Sequence, residues 1–135
     1  MPARDRHHDA VKRALIKDGW KIEREQVLFI LADRHVWVDM EASNTTGEHR
    51  ILIEVKGLDG PSQVEALMDA IGQYVVYRAV IDEVGGQDIP LYLAVPESAY
   101  QSILSEQIGV VARQQVEVKL VVFDPDSEEI RQWID

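Results

Sequence analysis

The stretch Ile51-Leu52-Ile53-Glu54-Val55-Lys56 decides the fold and indicates the chemistry. Its apolar and β-branched residues predict a strand, and successive side chains of a strand point to opposite faces. Glu54 and Lys56 therefore project together, away from the apolar face of the same strand. An acidic and a basic side chain are thus directed to one place.

A second acidic residue lies upstream, where Asp39 interrupts the apolar run Val36-Trp37-Val38-Asp39-Met40. Packing gives no reason for a carboxylate there. If the two strands are hairpin neighbours, Asp39 and Glu54 can share a divalent cation, and with the Val55 carbonyl they form a hard oxygen site suited to Mg²⁺. Such an ion would bind a phosphate oxygen and activate water, while Lys56 steadies negative charge. A surface row of ion pairs would have the same spacing, so spacing alone does not distinguish it from a metal site.

Two pairs of polar residues provide further candidates. Gln73 and Tyr77 stand four residues apart on one face of a predicted helix, where their polar ends could hold a phosphate or a metal-binding carboxylate. Asp5 and His8 stand three residues apart at the start of the first predicted helix. The simpler interpretations are polar ends that reach solvent for the first pair, and a helix cap with a surface histidine for the second.

Hydrophobic periodicity and turn signals predict an α+β fold in which helices flank a mixed sheet. The predicted order is α-β-β-β-(β)-α-β-α-β-β. The ranges are a helix from about Arg4 to Asp18, strands at 20–24, 27–31, 34–41 and 51–56, a helix from Ser62 to Glu83, a strand at 91–95, a helix from Pro96 to Gly109, and strands at 116–123 and 129–134. We expect the long helix to pack on the sheet through its apolar stripes, one of which is formed by Val64, Leu67, Met68, Ile71 and Val75.

Composition limits the classes of function. The 135 residues suit a single domain, 1–135, and 46% hydrophobic with 28% charged residues is typical of a globular protein. A formal net charge of -10 excludes tight, sequence-independent coating of nucleic acid. Only residues 1–24, with seven Lys and Arg against four Asp and Glu, are basic. We expect Arg4, Arg6, Lys12 and Arg13 to form the surface that faces phosphate.

Other features concern the compartment. The charged start of the chain lacks the apolar stretch of a signal peptide, and no apolar run approaches the ~20 residues of a membrane span. Cysteine is absent, which excludes thiol catalysis and disulfides. We therefore expect a cytoplasmic protein that does not enter the membrane.

The order αβββαβ, with an acid on one strand, Glu-x-Lys on the next and Gln-x-x-x-Tyr on the following helix, resembles the PD-(D/E)xK, or restriction-endonuclease-like, superfamily. More narrowly, the whole chain resembles the XisH family, the cyanobacterial fdxN-element excision controlling factors. The matching passages are Met1-Pro2-Ala3-Arg4-Asp5 with His8, Ala14-Leu15-Ile16-Lys17-Asp18-Gly19-Trp20, Val38-Asp39, Ile53-Glu54-Val55-Lys56, Gly72-Gln73-Tyr74-Val75-Val76-Tyr77-Arg78, Leu91-Tyr92-Leu93-Ala94-Val95-Pro96 and Val122-Phe123-Asp124-Pro125.

The resemblance implies a role for each residue of the motifs. Asp39 and Glu54 would bind Mg²⁺ or Mn²⁺, Lys56 would be the catalytic lysine, and Gln73 and Tyr77 would position the phosphate. The chain departs from the superfamily pattern in two places. Val38 stands where the motif has its proline, and the first helix lacks the glutamate of many relatives, for which Asp5 or Asp9 is a substitute candidate.

The resemblance also implies a function, namely that of a DNA-associated factor with Mg²⁺-dependent endonuclease-like phosphodiesterase activity in the excision of a DNA element. One alternative is a catalytically silent accessory protein that controls site-specific excision together with the companion factor XisI. Another is a toxin-like or defence nuclease that this partner holds in check. A homodimer could form edge to edge through the last strand with Trp133 and Ile134.

Overall fold

A six-stranded mixed sheet forms the centre of the structure, a computed structural model that describes residues 5–85 and 88–135. The strands lie side by side in chain order: β1 (Lys21–Leu31), β2 (Arg34–Ser43), β3 (Arg50–Val55), β4 (Leu91–Pro96), β5 (Lys119–Asp124) and β6 (Glu129–Ile134). The helices are α1 (His8–Lys17), α2 (Gln63–Val84), α3 (Glu97–Gln101) and α4 (Gln107–Val116). Strands β3, β4 and β5 are parallel, and the other neighbouring pairs are antiparallel. This confirms the predicted α+β fold, in which helices flank a mixed sheet and the chain begins with the order αβββαβ.

Each face of the sheet has its own apolar core. The α1-side core comprises Val11, Leu15, Met40, Ala42, Ile51, Ile53, Val55, Ala94, Val121 and Phe123. The α2-side core is larger and includes Val27, Val38, Leu52, Leu67, Ala70, Tyr74, Leu93 and Val122. Because Ile53 and Val55 lie in the first core and Leu52 in the second, β3 alternates as predicted. Glu54 therefore projects towards the face that α2 covers.

Strand β1 is continuous, whereas the sequence predicted two strands, at 20–24 and 27–31. A bulge between Ile22 and Arg24 shifts its register against β2, and Gln26 adopts a left-handed φ of 55°. As a result, Glu25 contacts α1 while Val27 lies in the α2-side core. The polar residues that suggested a break between two strands lie where a single strand twists.

The predicted helix from Pro96 to Gly109 is wrong in extent, because two helices occupy this part of the chain. α3 ends at Gln101, whereas α4 begins at Gln107 and contains Gly109. A Cβ atom on Gly109 would lie 2.0 Å from the carbonyl oxygen of Ile103. Glycine therefore permits close packing at this position and does not end a helix.

Helices α1 and α2 differ in how accurately their first residues were predicted. α1 begins only at His8, and the predicted start at Arg4 lies outside the described residues. α2 begins as predicted, with Ser62 Oγ accepting a hydrogen bond from the amide of Glu65 at 3.2 Å. Within the described residues, no helix combines the length and the apolar character needed to cross a membrane.

Candidate functional site

Asp39 and Glu54 meet where β2 and β3 separate. The ladder between the two strands ends at the pair Met40 and Ile53, and carboxylates replace main-chain acceptors beyond it. The amide of Asp39 donates to Glu54 Oε1 at 3.2 Å, and the amide of Val55 donates to Asp39 Oδ2 at 2.7 Å. The exposed fractions of Asp39 and Glu54 are only 8% and 6%. The structure therefore brings two carboxylates from neighbouring strands into one buried place.

The two carboxyl groups perturb each other. Burial raises the pKa of Asp39, although the Val55 amide and other partners oppose the shift. Burial raises the pKa of Glu54 as well, and the neighbouring charge of Asp39 adds to the effect. The pair therefore retains a proton more readily than two isolated carboxyl groups. A divalent cation bound between them would relieve the same repulsion.

Lys56 follows β3 directly and is half-buried. Its amide donates to the carbonyl of Ala94 at 2.9 Å, which anchors the residue to β4. Its ammonium charge lowers the pKa of both carboxyl groups and partly opposes the effect of burial. The carbonyl of Val55, the third predicted oxygen ligand, precedes Lys56 in the chain. The Glu-x-Lys segment thus lies alongside Asp39.

α2 contributes Gln73 and Tyr77, both of which are partly buried. Burial, together with the charges of Glu54 and Asp39, raises the pKa of Tyr77 to about 12. The Tyr77 hydroxyl is therefore protonated at neutral pH and can donate a hydrogen bond. Gln73 Oε1 is shielded from solvent and has no hydrogen-bond partner among the described residues. Spacing on the helix thus places both polar groups on the covered side of α2.

His8 reaches the same place from α1. Only 1% of its surface is exposed, so it is not a surface histidine. Its Nε2 lies 2.8 Å from Glu25 Oε1, and its Nδ1 lies 4.0 Å from Asp39 Oδ1. In the described part of the chain Nδ1 has no hydrogen-bond partner. An imidazole nitrogen next to the carboxylate pair is therefore available to a ligand.

Glu25 belongs to a second group of ligand atoms, contributed by His8, Asp9 and Glu25, that lie close enough together to hold a metal ion. The other oxygen of Glu25, however, accepts from Lys12 Nζ at 2.9 Å. A cation there would compete with this ammonium group.

Asp5 binds backbone amides close to the site. Its Oδ1 accepts from the amide of His7 at 2.9 Å, and its Oδ2 accepts from the amide of Gly57 at 3.2 Å. Gly57 follows Lys56 directly, so Asp5 ties the segment before α1 to the end of β3. The residue thus lies beside the site and helps to position Lys56.

The basic segment is largely neutralised within the chain. Its three described candidates are paired as follows: Arg6 with Asp59 at 2.7 Å, Lys12 with Glu25 at 2.9 Å and Arg13 with Glu128 at 2.6 Å. Arg4 lies outside the described residues. Each of these cations therefore already has a carboxylate partner within the chain. The local excess of positive charge in the sequence is thus not an excess of unpaired charge.

A cleft of about 340 Å³ adjoins the site at Gly57. Its lining includes the polar side chains of Arg6, His7, Gln63 and Ser98. Because Gly57 follows Lys56 in the chain, the cleft begins one residue from the predicted catalytic lysine. Asp39, Glu54 and Lys56 do not line it, so the cleft lies beside the site.

Sequence reasoning missed two residues at this place, Glu25 and Gln26. Both lie between the predicted strands 20–24 and 27–31, at the end of the polar run 23–26. In the register of β1 against β2, Glu25 pairs with Met40 and Val27 with Val38. Gln26 therefore lies across from Asp39. The signal that could have identified them is the run of four consecutive polar residues, 23–26, that directly precedes the apolar stretch 27–31.

Comparison with known proteins identifies the family. The family model described as XisH protein matches residues 1–131. The chain belongs to the XisH family. An XisH family protein from Nostoc punctiforme PCC 73102 is similar over 97% of this chain and 100% of its own, at 30% identity and a TM-score of 0.89. An fdxN element excision controlling factor protein from Anabaena variabilis is similar over 98% of this chain and 100% of its own, at 32% identity and a TM-score of 0.89. No curated protein matches the chain significantly.

Proposed function

We propose that this member of the XisH family is a phosphodiesterase that acts on DNA, depends on Mg²⁺ or Mn²⁺, and takes part in the excision of a DNA element. The observation that carries the proposal is the convergence of Asp39 and Glu54 at the end of the β2–β3 ladder, with Lys56 beside them. The description of the Anabaena variabilis relative as an fdxN element excision controlling factor supports DNA as the substrate.

The donor set at this place fits a hard divalent cation. Asp39 and Glu54 supply buried carboxylate oxygens whose mutual repulsion a double positive charge would relieve. The Val55 carbonyl would add a neutral oxygen, and His8, whose Nδ1 lies 4.0 Å from Asp39 Oδ1, borders the site. When bound, the cation would polarise a phosphate oxygen and activate a water molecule.

The surrounding side chains would orient the substrate. Lys56 carries a positive charge beside the carboxylates and would stabilise negative charge that develops on the phosphate. The Tyr77 hydroxyl remains protonated at neutral pH and would donate to a phosphate oxygen. Gln73, one turn away on α2, would donate from its amide nitrogen to the phosphate, while its shielded Oε1, which has no partner among the described residues, would accept from a water molecule.

The overall charge limits how DNA is bound. With a net charge of -10 and its described amino-terminal cations paired, the chain has little general attraction for a polyanion. Binding would therefore depend on the cation and on local contacts around the site. Weak binding, or binding assisted by a partner, follows from this charge distribution.

Cleavage assays on double-stranded, branched and single-stranded DNA test the proposal. The wild-type chain should cleave at least one of these substrates with Mg²⁺ or Mn²⁺ and none of them with EDTA. Lys56→Ala should reduce the rate by about 100-fold or more, the usual scale for loss of a charge-stabilising group. Lys21→Ala, a change at an exposed lysine, is the matched control and should leave the rate unchanged. A wild-type chain that is inert on all three substrates would contradict the proposal.

A second candidate function is that of an accessory protein that binds an XisI-like partner and controls excision without cleavage. The observation that favours it is the outer surface of α2, where Val64, Met68, Val75 and Val76 are 38–60% exposed. A helix that is apolar on both its covered and its outer side commonly packs against a second element. The alternative therefore assigns this outer surface to the partner.

Co-expression distinguishes the second candidate from the first. An XisI-like protein should co-purify with the wild-type chain and be lost with Met68→Glu. Ile16→Glu, at an exposed apolar position on α1, should retain the partner and serves as the control. If the wild-type chain cleaves DNA and retains no such partner, the accessory function fails.

A further inference from the structure

Gln26 combines two unusual features in one strand residue. Its backbone has a left-handed φ of 55°, a conformation that costs an ordinary side chain roughly 1–2 kcal/mol. Both atoms of its side-chain amide are shielded from solvent, and neither has a hydrogen-bond partner among the described residues. Buried polar groups are nearly always paired, so an unpaired amide on a strained residue calls for an explanation.

The position of Gln26 in the sheet links it to the carboxylate pair. In the register of β1 and β2, Glu25 lies opposite Met40 and Val27 opposite Val38, which places Gln26 opposite Asp39. Gln26 thus lies across from Asp39, between two paired positions of β1.

In both strands, the side chains switch from one face of the sheet to the other at Gln26 and Asp39. Met40 lies in the α1-side core and Val38 in the α2-side core, although residues two apart in a regular strand share a face. Glu25 and Val27 behave in the same way on β1. The left-handed residue Gln26 and the candidate ligand Asp39 are therefore the two turning points of one twisted strand pair.

The unpaired polar atoms of the described chain concentrate around this level. Five such buried side-chain atoms occur, and four of them belong to His8, Gln26 and Gln73. His8 Nδ1 lies 4.0 Å from Asp39 Oδ1, and Gln73 lies one turn from Tyr77, whose pKa responds to the charges of both carboxyl groups. The unpaired groups thus belong to α1, β1 and α2, the three elements that adjoin the carboxylate pair.

We propose that Gln26 is a positioning residue of the Asp39–Glu54 site, whose side-chain amide binds the hydration shell of the cation held there. This inference rests on the proposed function and adds a residue and a role to it. The amide is buried, so its partner is small, and a water molecule of the hydration shell fits better than a nucleotide. An amide offers both a donor and an acceptor to such water molecules.

Mn²⁺ binding to the purified chain, measured by calorimetry and by the electron paramagnetic resonance signal of free Mn²⁺, tests the inference. Gln26→Gly removes the amide and suits the left-handed backbone, so the fold should be kept. Its Kd for Mn²⁺ should rise by about 10-fold, the lower end of the usual effect of losing an outer hydrogen-bond partner. Gln26→Glu should lower the Kd, because it adds negative charge beside the ion.

Two comparisons make the outcome decisive. Gln132→Glu adds the same charge at an exposed position on β6, and it should leave the Kd unchanged. Thermal unfolding of each variant without metal reports any loss of fold. A Gln26→Gly variant that binds Mn²⁺ as the wild type does would overturn the inference, and so would a Gln26→Glu variant that is weakened to the same extent as Gln26→Gly. A wild-type chain that does not bind Mn²⁺ would overturn the proposed function itself, a result distinguishable from the other two.

Discussion

His8 Nδ1 lies 4.0 Å from Asp39 Oδ1, so the first helix of the chain meets its second strand at the carboxylate pair. The other ring nitrogen of His8 is bound to Glu25 at 2.8 Å. The imidazole therefore connects α1, β1 and β2 at one buried point. Both the stability of the fold and the affinity of the site should depend on it.

The first prediction concerns His8→Ala. The variant should lose about 1–3 kcal/mol of unfolding free energy in urea titration, because it removes a buried ring and leaves Glu25 with one partner fewer. Its affinity for Mn²⁺ should fall as well. Lys12→Ala removes another partner of Glu25 at a more exposed position and should cost less than about 1 kcal/mol. Equal losses in the two variants would contradict the structural role of His8.

The second prediction concerns pH dependence. The pKa of Glu54 is raised by burial and by Asp39, so the folded state binds a proton that the unfolded state releases. This contribution to stability is complete below the unfolded pKa of about 4.3 and is lost as the pH rises through the raised folded value. In metal-free buffer, Glu54→Gln should therefore be more stable than the wild type at pH 8, by about 1 kcal/mol or more, and less dependent on pH. Urea titrations at pH 5, 6.5 and 8 measure the difference.

Glu48→Gln provides the control for this pH series. Glu48 is exposed in the segment between β2 and β3, and its substitution should leave the pH profile unchanged. Addition of Mg²⁺ should stabilise the wild type at pH 8 more than it stabilises Glu54→Gln. A wild-type profile that rises steadily from pH 5 to pH 8 would contradict the raised pKa.

The third prediction separates two tyrosines on α2. Tyr74 is buried, and its hydroxyl donates to the carbonyl of Leu91 at 2.7 Å and accepts from the amide of Lys119 at 3.2 Å. Tyr74→Phe should therefore cost about 1–3 kcal/mol of stability and leave Mn²⁺ affinity unchanged. Tyr77→Phe should cost less than about 1 kcal/mol and reduce the rate of DNA cleavage. The reverse pattern would place the functional hydroxyl on Tyr74.

The fourth prediction compares two helical glycines. A Cβ atom at position 109 would lie 2.0 Å from the Ile103 carbonyl oxygen, so Gly109→Ala should cost at least about 2 kcal/mol. A Cβ atom at position 72 would meet nothing within 4 Å, so Gly72→Ala on α2 should gain about 0.5–1 kcal/mol. Thermal unfolding measures both changes. A stable Gly109→Ala variant would show that α4 can shift away from Ile103.

The alternation in β3 and the capping residues of α2 could be predicted because local physical chemistry determines them. Glu54 and Lys56 follow from a period of two, and Ser62 with Glu65 from the unpaired amides at a helix start. The stripe predicted on α2 was less accurate, since Val64, Met68 and Val75 are exposed while Leu67 is buried. Two apolar sides on one helix look alike in the sequence, and only tertiary packing decides which one is covered.

Features that depend on contacts between distant segments could not be predicted. Glu25 and Gln26 look like a gap between strands until β2 is placed beside them, because a left-handed residue other than glycine leaves no clear mark in the sequence. Gly109 looks like the end of a helix until the carbonyl of Ile103 is placed against it. The pairing of Arg13 with Glu128 joins residues at opposite ends of the chain, so the local charge sum could not reveal it.

The order of the strands in the sheet has a consequence for how the chain assembles. Each strand pairs with the one that precedes it, so no strand has to enter between two others that have already paired. The sheet can therefore grow in one direction as the chain leaves the ribosome. All the candidate site residues, from Asp5 to Tyr77, precede β4 in the chain. The second half of the chain would then extend the sheet beyond β3, beside a carboxylate pair whose residues have already been synthesised.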